Sequence, residues 1–199
     1  MARPSLKDVR SREILDAFVR CVARYGVDGS TLERIAEEAG MRRTLLRHYL
    51  GNREDMVTRL LHHTLSMFED MIDLLVEDLP EKNRWPVLFD RLFSHEQHSP
   101  ANAAVFQALV AASAQHPALK QPLLGFVTDF ERMLCHEISL QHPAAGRNRC
   151  AVAASGITSI YFSVDAMLPL SPSIEWRQRQ KNAAAHLTAA LQGSVSGNT

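Results

Sequence analysis

The chain has little cysteine: three residues in 199, Cys21, Cys135 and Cys150. An odd number with no Cys-x-x-Cys spacing gives neither a disulfide framework nor a zinc knuckle, so free and mostly packed thiols are expected. Net charge is also missing, because 22 Lys and Arg are matched by 22 Asp and Glu in an ordinary composition long enough for one or two domains. No long apolar run is read from the sequence. The uncharged apolar-leaning run from Cys150 to Val164 falls short of the roughly 18 to 20 residues that span a bilayer, and Asp165 closes it, so no membrane partner is expected. The opening residues, MARPSLKDVRSRE, lack an apolar stretch followed by a small-residue cleavage site, and a cytoplasmic location is expected. No Gly-rich phosphate loop and no G-x-S-x-G elbow occurs, so the chain is expected not to be an enzyme, with no catalytic residue and no cofactor. Strand-like alternation is absent as well.

What is present is helical periodicity and a local excess of arginine. Residues 1–60 hold 12 Lys and Arg against 9 Asp and Glu, so a basic head precedes a mildly acidic body. Ile14, Ala17, Phe18, Cys21, Val22 and Tyr25 recur at the spacing of an amphipathic helix, which Gly26 ends. In STLERIAEEAG, Ser30 and Glu33 have the capping-box spacing, so a second helix is expected to start near Ser30, with Leu32, Ile35, Ala36 and Ala39 inward and Gly40 at its end. A third, short helix follows Met41. Gly51 breaks it, and Asn52 with Asp55 can cap a fourth.

Two short helices joined by a glycine turn form a helix-turn-helix. Ala36 is small where the helices cross, Gly40 allows the turn, and Leu46 is bulky enough to lock the pair. Met41, Leu45 or Leu46, and Tyr49 or Leu50 then face inward. Arg42, Arg43, Thr44, Arg47 and His48 face outward, on a stretch from Ala39 to Arg53 that contains no acid. Arginine forks pair with guanine edges or phosphates, so this face fits a DNA major groove. Arg53 is expected to add a phosphate-facing donor at the start of the fourth helix. Arg3, Lys7 and Arg10 extend the basic surface as a candidate arm.

Over roughly residues 10 to 60 the sequence resembles the TetR family of bacterial transcriptional regulators, whose usual segment reads much like T-x-x-x-I-A-x-x-A-G-V-S-x-G-T-L-Y-x-H-F-x-S-K-E-x-L. Thr31, Ile35, Ala36, Ala39, Gly40, Leu46, Glu54 and Met56 match or nearly match it, and Arg53 stands at the lysine. The departures are informative. Arg47 replaces a tyrosine that commonly reaches a phosphate in relatives, Tyr49 the following histidine, Leu50 the aromatic, and Arg42 and Thr44 a small pair. The expected DNA-binding set is Thr31, Arg42, Arg43, Thr44, Arg47, His48, Tyr49 and Arg53, with a more electrostatic recognition helix than the pattern shows.

Beyond the head the periodicity predicts a long helix at about 53–78, then helices at about 86–97, 102–115, 119–141, 147–168 and 174–192. The fold class is thus all-α, about nine helices, with a three-helix DNA-binding domain at 1–52 on a larger ligand-binding and dimerisation domain at 53–199. The resemblance implies an inducer cavity in the bundle, and Phe68, Met71, Phe89, Phe93, Phe106, Phe126, Phe130 and Phe162 are its candidate lining. Aromatic stripes at this spacing also suit a plain core. With no cluster of buried charge apparent, an apolar or amphipathic small-molecule inducer is expected.

The small-residue helix CAVAASGITSIYFSVDAML suits either burial within one subunit or the four-helix dimer contact that the resemblance implies. Ala153, Gly156, Ile157, Ile160, Val164, Ala184, Leu187 and Leu191 are the candidate dimer residues. The partners expected are double-stranded DNA, an unknown small-molecule inducer and a second copy of the chain. A ligand-released repressor on a palindromic operator is the function this implies. Two alternatives stay open: a helical adaptor that binds protein, and a metal-sensing regulator. Against the second, His95 and His98 in HEQH and the adjacent His62 and His63 have the wrong spacing for a helical metal pair, and no metal site is expected.

Overall fold

The computed structural model describes residues 6–94 and 99–192. Among these residues it holds nine α-helices and no strand. In chain order they are α1 (Leu6–Gly29), α2 (Leu32–Glu38), α3 (Arg43–Leu50), α4 (Arg53–Glu77), α5 (Arg84–Leu92), α6 (Pro100–Ala112), α7 (Lys120–Gln141), α8 (Arg147–Met167) and α9 (Ile174–Ala189). The all-α expectation holds, and the differences lie at the ends. Proline explains two of them: Pro86 sits inside the first turn of α5 and Pro100 opens α6, positions where the missing N–H has no helical partner to lose. His95 and His98 of the HEQH stretch and Arg3 of the candidate arm lie outside the described residues.

Two compact units emerge, one gathering Met1–Asp70 with Ala101–Leu123 and the other Met71–Pro100 with Leu124–Thr199. In the first, the α1 stripe is buried as its periodicity demands: Ile14, Ala17, Phe18, Cys21 and Val22 are almost wholly enclosed. They meet Ile35 and Ala36 of α2, Leu46 and Leu50 of α3, and Met56, Val57, Leu60 and Leu61 of α4 in one core. Gly26 bends α1 with φ 69° and ψ 176°, a backbone region open to glycine and closed to most side chains. The amphipathic part of α1 therefore stops where its spacing said it would.

The second unit is built on a core of Leu75, Leu79, Trp85, Leu88, Phe89, Leu92, Phe130, Leu134, Ile138, Cys150, Ala153, Ala154, Ile157 and Ala184. Its longest seam is α8 against α9, where small residues on α8 let the two backbones approach. At Gly156 even a single added carbon would lie 2.7 Å from a Leu187 methyl. Within residues 147–170 an 18-residue window reaches a mean hydropathy of 1.4, so this helix is long and apolar enough to cross a membrane, contrary to the expectation from the short Cys150–Val164 run. Here that apolarity has a packing use, since Cys150, Ala153, Ala154, Ile157, Thr158 and Val164 of α8 are buried in the unit.

Candidate nucleic-acid interface

The head is held rigid by local chemistry around α3. Gly40 takes φ 61°, and the Met41 amide donates to the Ala36 carbonyl at 2.9 Å, closing the turn between α2 and α3. At the other end Gly51 takes φ 86°, and its missing Cβ would sit 2.5 Å from an Asp55 carboxylate oxygen. That carboxylate accepts from the Asn52 amide at 3.0 Å while Asn52 Oδ1 accepts from the Asp55 amide at 3.0 Å. The expected Asn52–Asp55 cap of α4 is thus a reciprocal capping box.

The cap of α2 differs from expectation. Thr31, not Ser30, is the N-cap, its hydroxyl accepting from the Arg34 amide at 3.3 Å. Ser30 is fully buried and its hydroxyl donates to the Gly26 carbonyl at 2.7 Å. The bend at Gly26 frees a carbonyl that needs a donor, and a buried serine supplies one; spacing alone cannot tell that use from a cap.

With Leu46 and Leu50 buried, Arg42, Arg43, Thr44, Arg47 and His48 stand on the exposed face of α3. Leu45 is exposed too, so of each pair offered by the periodicity the second member faces in. Tyr49 is half-buried, and the His48 ring meets it edge-on with centroids 5.2 Å apart. Thr31 is exposed at the start of α2. Arg42 occupies the N-cap of α3 with no side-chain bond to the first-turn amides, so these remain unclaimed by that side chain. Beside the foot of α3 is a hollow of about 330 Å³ lined by Leu32, Arg47, Gly51, Asn52, Arg53 and Met56.

Two arginines are not placed as expected. Arg53 turns inward: its guanidinium donates to the Ser30 carbonyl at 3.0 Å and to the Val27 carbonyl, and lies 5.4 Å above the Phe18 ring. Burial lowers its pKa, and Asp28 and Glu54 oppose that shift. The reading of Arg53 as a phosphate-facing donor is corrected accordingly: the carbonyls left over at the α1–α2 corner outcompete solvent for its fork. Arg43, in turn, is not free of acid. It pairs with Glu33 of α2 at 2.5 Å, and a hydrogen bond from Glu33's own backbone, then Arg43, hold that carboxyl below its ordinary pKa. The stretch without acids ends in sequence at Glu54, but in space an acid ten residues upstream reaches it. On the far side of α2, Glu38 takes Arg20 at 2.6 Å and Arg24 at 3.0 Å, which ties α2 to α1.

The candidate ligand residues divide between the units. In the first, Phe68 and Phe106 meet with centroids 6.3 Å apart. In the second, Phe89, Phe93, Phe130 and Phe162 gather, with Phe93, Phe130 and Phe162 all against Tyr161, a residue the sequence reading passed over. Met71 and Phe126 are half-buried. The bundle is also not free of buried charge: Glu137, almost fully buried, receives a two-pronged bond from Arg84 at 2.8 and 2.7 Å. Fifty-three residues separate the two, beyond any spacing rule.

The candidate dimer residues are largely enclosed within one subunit. Ala153, Ile157, Val164, Ala184 and Leu191 are buried, Gly156 packs on Leu187, and Ile160 and Leu187 flank the core. These small residues make the α8–α9 seam, while Val152, Ser155 and Ser159 form the exposed face of α8, and Asn182, Ala183 and His186 that of α9. Among the described residues no three His, Cys, Asp or Glu side chains converge as a metal would need. His63 is instead against Asp16 at 2.7 Å, and Cys21 and Cys150 are buried thiols whose pKa values burial raises.

Residues 14–60 match the family described as bacterial regulatory proteins, tetR family. The HTH-type transcriptional regulator BetI of Escherichia coli is 23% identical over 163 residues, which cover 80% of this chain and 82% of the relative. Two crystal structures share the fold along nearly the whole length. A TetR-like transcriptional regulator from Rhodococcus sp. RHA1 superposes with a TM-score of 0.70 at 14% identity, covering 97% of this chain and all of that one. The fatty acid degradation regulator FadR from Bacillus halodurans superposes with a TM-score of 0.63 at 17% identity, covering 99% and 100%. The helix-turn-helix built around Gly40 is the part that carries the match, and residues 14–60 form a domain of the kind found in bacterial regulatory proteins of the tetR family.

Proposed function

We propose that the chain is a ligand-responsive repressor: residues 1–52 read double-stranded DNA, and residues 53–199 bind a small molecule and a second copy of the chain. The observation that carries this reading is the outer face of α3, where Arg42, Arg43, Thr44, Arg47 and His48 are exposed while Leu46 and Leu50 anchor the helix beneath them. A short helix with three guanidinium groups outward suits a major groove, with arginines on guanine edges or phosphates. Thr31 and Tyr49 flank that face, and the hollow beside Arg47 gives a sugar-phosphate edge somewhere to lie. Arg53 supports the reading surface from behind instead of touching DNA.

A homodimer would offer two such helices to successive major grooves about 34 Å apart, so the operator is a palindrome. The dimer contact is assigned to the outward face of α8 and α9, through Val152, Ser155, Ser159, Ala183 and His186, since the inward seam is already filled. An apolar or amphipathic inducer suits the aromatic side chains of the bundle. The site of action is the cytoplasm, where the DNA is.

The experiment is selection of bound duplexes from a random pool, followed by a salt titration on the selected site. A palindrome should emerge whose affinity falls with a log-log slope near −0.9 for each phosphate neutralised. If no sequence is enriched and binding stays weak at low salt, the basic face is only a solvated surface and the reading fails.

A further inference from the structure

Among the described residues of the second unit, one buried side-chain polar atom has no hydrogen-bond partner. Thr158, on α8, is 3% exposed, and its hydroxyl makes no hydrogen bond, not even to the carbonyl one turn back that a helical threonine usually takes. A buried polar group without a partner is uncommon in a settled core. Its neighbours on the same stripe of α8 are Ala154, Tyr161 and Asp165, four residues before and three and seven after, so one line of the helix carries a hydroxyl, a phenol and a carboxylate. Opposite that line stand rings. Tyr161 lies 6.5 Å from Phe93 and 5.2 Å from Phe130 between centroids, and Phe162 lies 5.9 Å from Phe130. Asp165 is close enough to Tyr161 to add to what burial does, and the phenol's pKa is pushed well above its ordinary value. Tyr161 therefore stays protonated and can donate.

We propose that Thr158, Tyr161 and Asp165, set among Phe93, Phe130 and Phe162, form the polar end of a small-molecule site that accepts a neutral or cationic amphipathic molecule and rejects a carboxylate. This rests on the reading of the bundle as a ligand-binding unit and sharpens it. Aromatic faces carry negative charge density and accept an apolar body or an ammonium group equally well. A donor group on the ligand gives Thr158 the partner it lacks. A carboxylate would instead place a second anion near Asp165, and like charges repel.

The test uses the full-length protein and three probes with one tail: octylamine, octanol and octanoate. Binding is read by tryptophan fluorescence and thermal shift, without DNA, so that it stands apart from any failure to find an operator. Octylamine and octanol should bind, with octanoate at least about tenfold weaker, and Asp165→Asn should narrow that gap. Thr158→Val, which keeps the shape and removes the orphan hydroxyl, should raise the melting temperature of the free protein and weaken octanol about tenfold. Octanoate binding as well as octanol overturns the selectivity while leaving a ligand-binding bundle in place. No binding by any probe overturns the site itself, as does a Thr158→Val protein that melts lower and binds unchanged. The broader reading fails only if, in addition, no member of a chemically mixed metabolite panel releases the protein from its selected operator.

Discussion

Replacing Arg53 separates two roles that its position confuses. Its guanidinium bonds the Ser30 and Val27 carbonyls at the α1–α2 corner, and its stem and charge lie over Phe18. Arg53→Met keeps the stem and removes both bonds. Val27 O still accepts from the Ser30 amide at 3.2 Å, so the loss falls mostly on Ser30 O. A hydrogen bond to a charged group contributes about 1.5–3 kcal/mol, and this fork is half-solvated, so the lower figure applies to each prong. The variant should lose about 2–3 kcal/mol, a fall of roughly 5–10 °C in melting temperature for a chain of this size. Arg53→Lys should lose nearly as much, because a single ammonium cannot bridge both carbonyls with a planar fork. On DNA, the folded variant at low temperature should keep the wild-type salt slope. The opposite pattern, an unchanged melting temperature with a salt slope smaller by about 0.9, would mean that Arg53 leaves the corner to meet a phosphate, and would refute the assignment.

Other expectations concern the reading face and its supports. Arg47→Ala should weaken operator binding by about 1–3 kcal/mol and relax preference at one base position if it reads a base, or weaken all sequences alike with a smaller salt slope if it meets a phosphate; competition binding against scrambled duplexes distinguishes the two. Glu33→Gln frees Arg43 and removes an anion from the edge of the recognition helix, so binding to non-specific DNA should tighten more than binding to the selected site, seen as a lower specificity ratio at fixed salt. Gly51→Ala must hold φ near 86° and displace the Asp55 cap, for a loss of about 1–3 kcal/mol in urea unfolding; an unchanged midpoint would remove the glycine argument.

What could be read from sequence was what neighbours in the chain decide. The bend at Gly26, the turn at Gly40, the capping box at Asn52 and Asp55 and the buried stripe of α1 all depend on residues within a few positions of each other, where spacing is geometry. The exposed face of α3 followed from the same rule. What escaped were choices between equal local options. Ser30 and Thr31 are both good caps, and only the freed Gly26 carbonyl decides which is used. Glu33 reaches Arg43 across a turn, and Arg84 of α5 meets Glu137 of α7 across 53 residues of sequence, so neither pair has a spacing signal. On α8 small residues line more than one side, and sequence could not say which side meets α9 in the same chain. Tyr161 has the same local spacing signal as the phenylalanines around it, four residues before Asp165 on the stripe that also carries Thr158.

Helix α3 is pinned at both ends by backbone turns and caps and beneath by two leucines, and none of those anchors uses the side chain of Arg42, Thr44, Arg47 or His48. Exchanging such surface residues typically changes stability by no more than about 0.5 kcal/mol. Mutation can therefore rewrite this surface letter by letter while the fold beneath stays intact. A lineage built on this head is free to drift onto new operators, and an engineer is free to move it there deliberately.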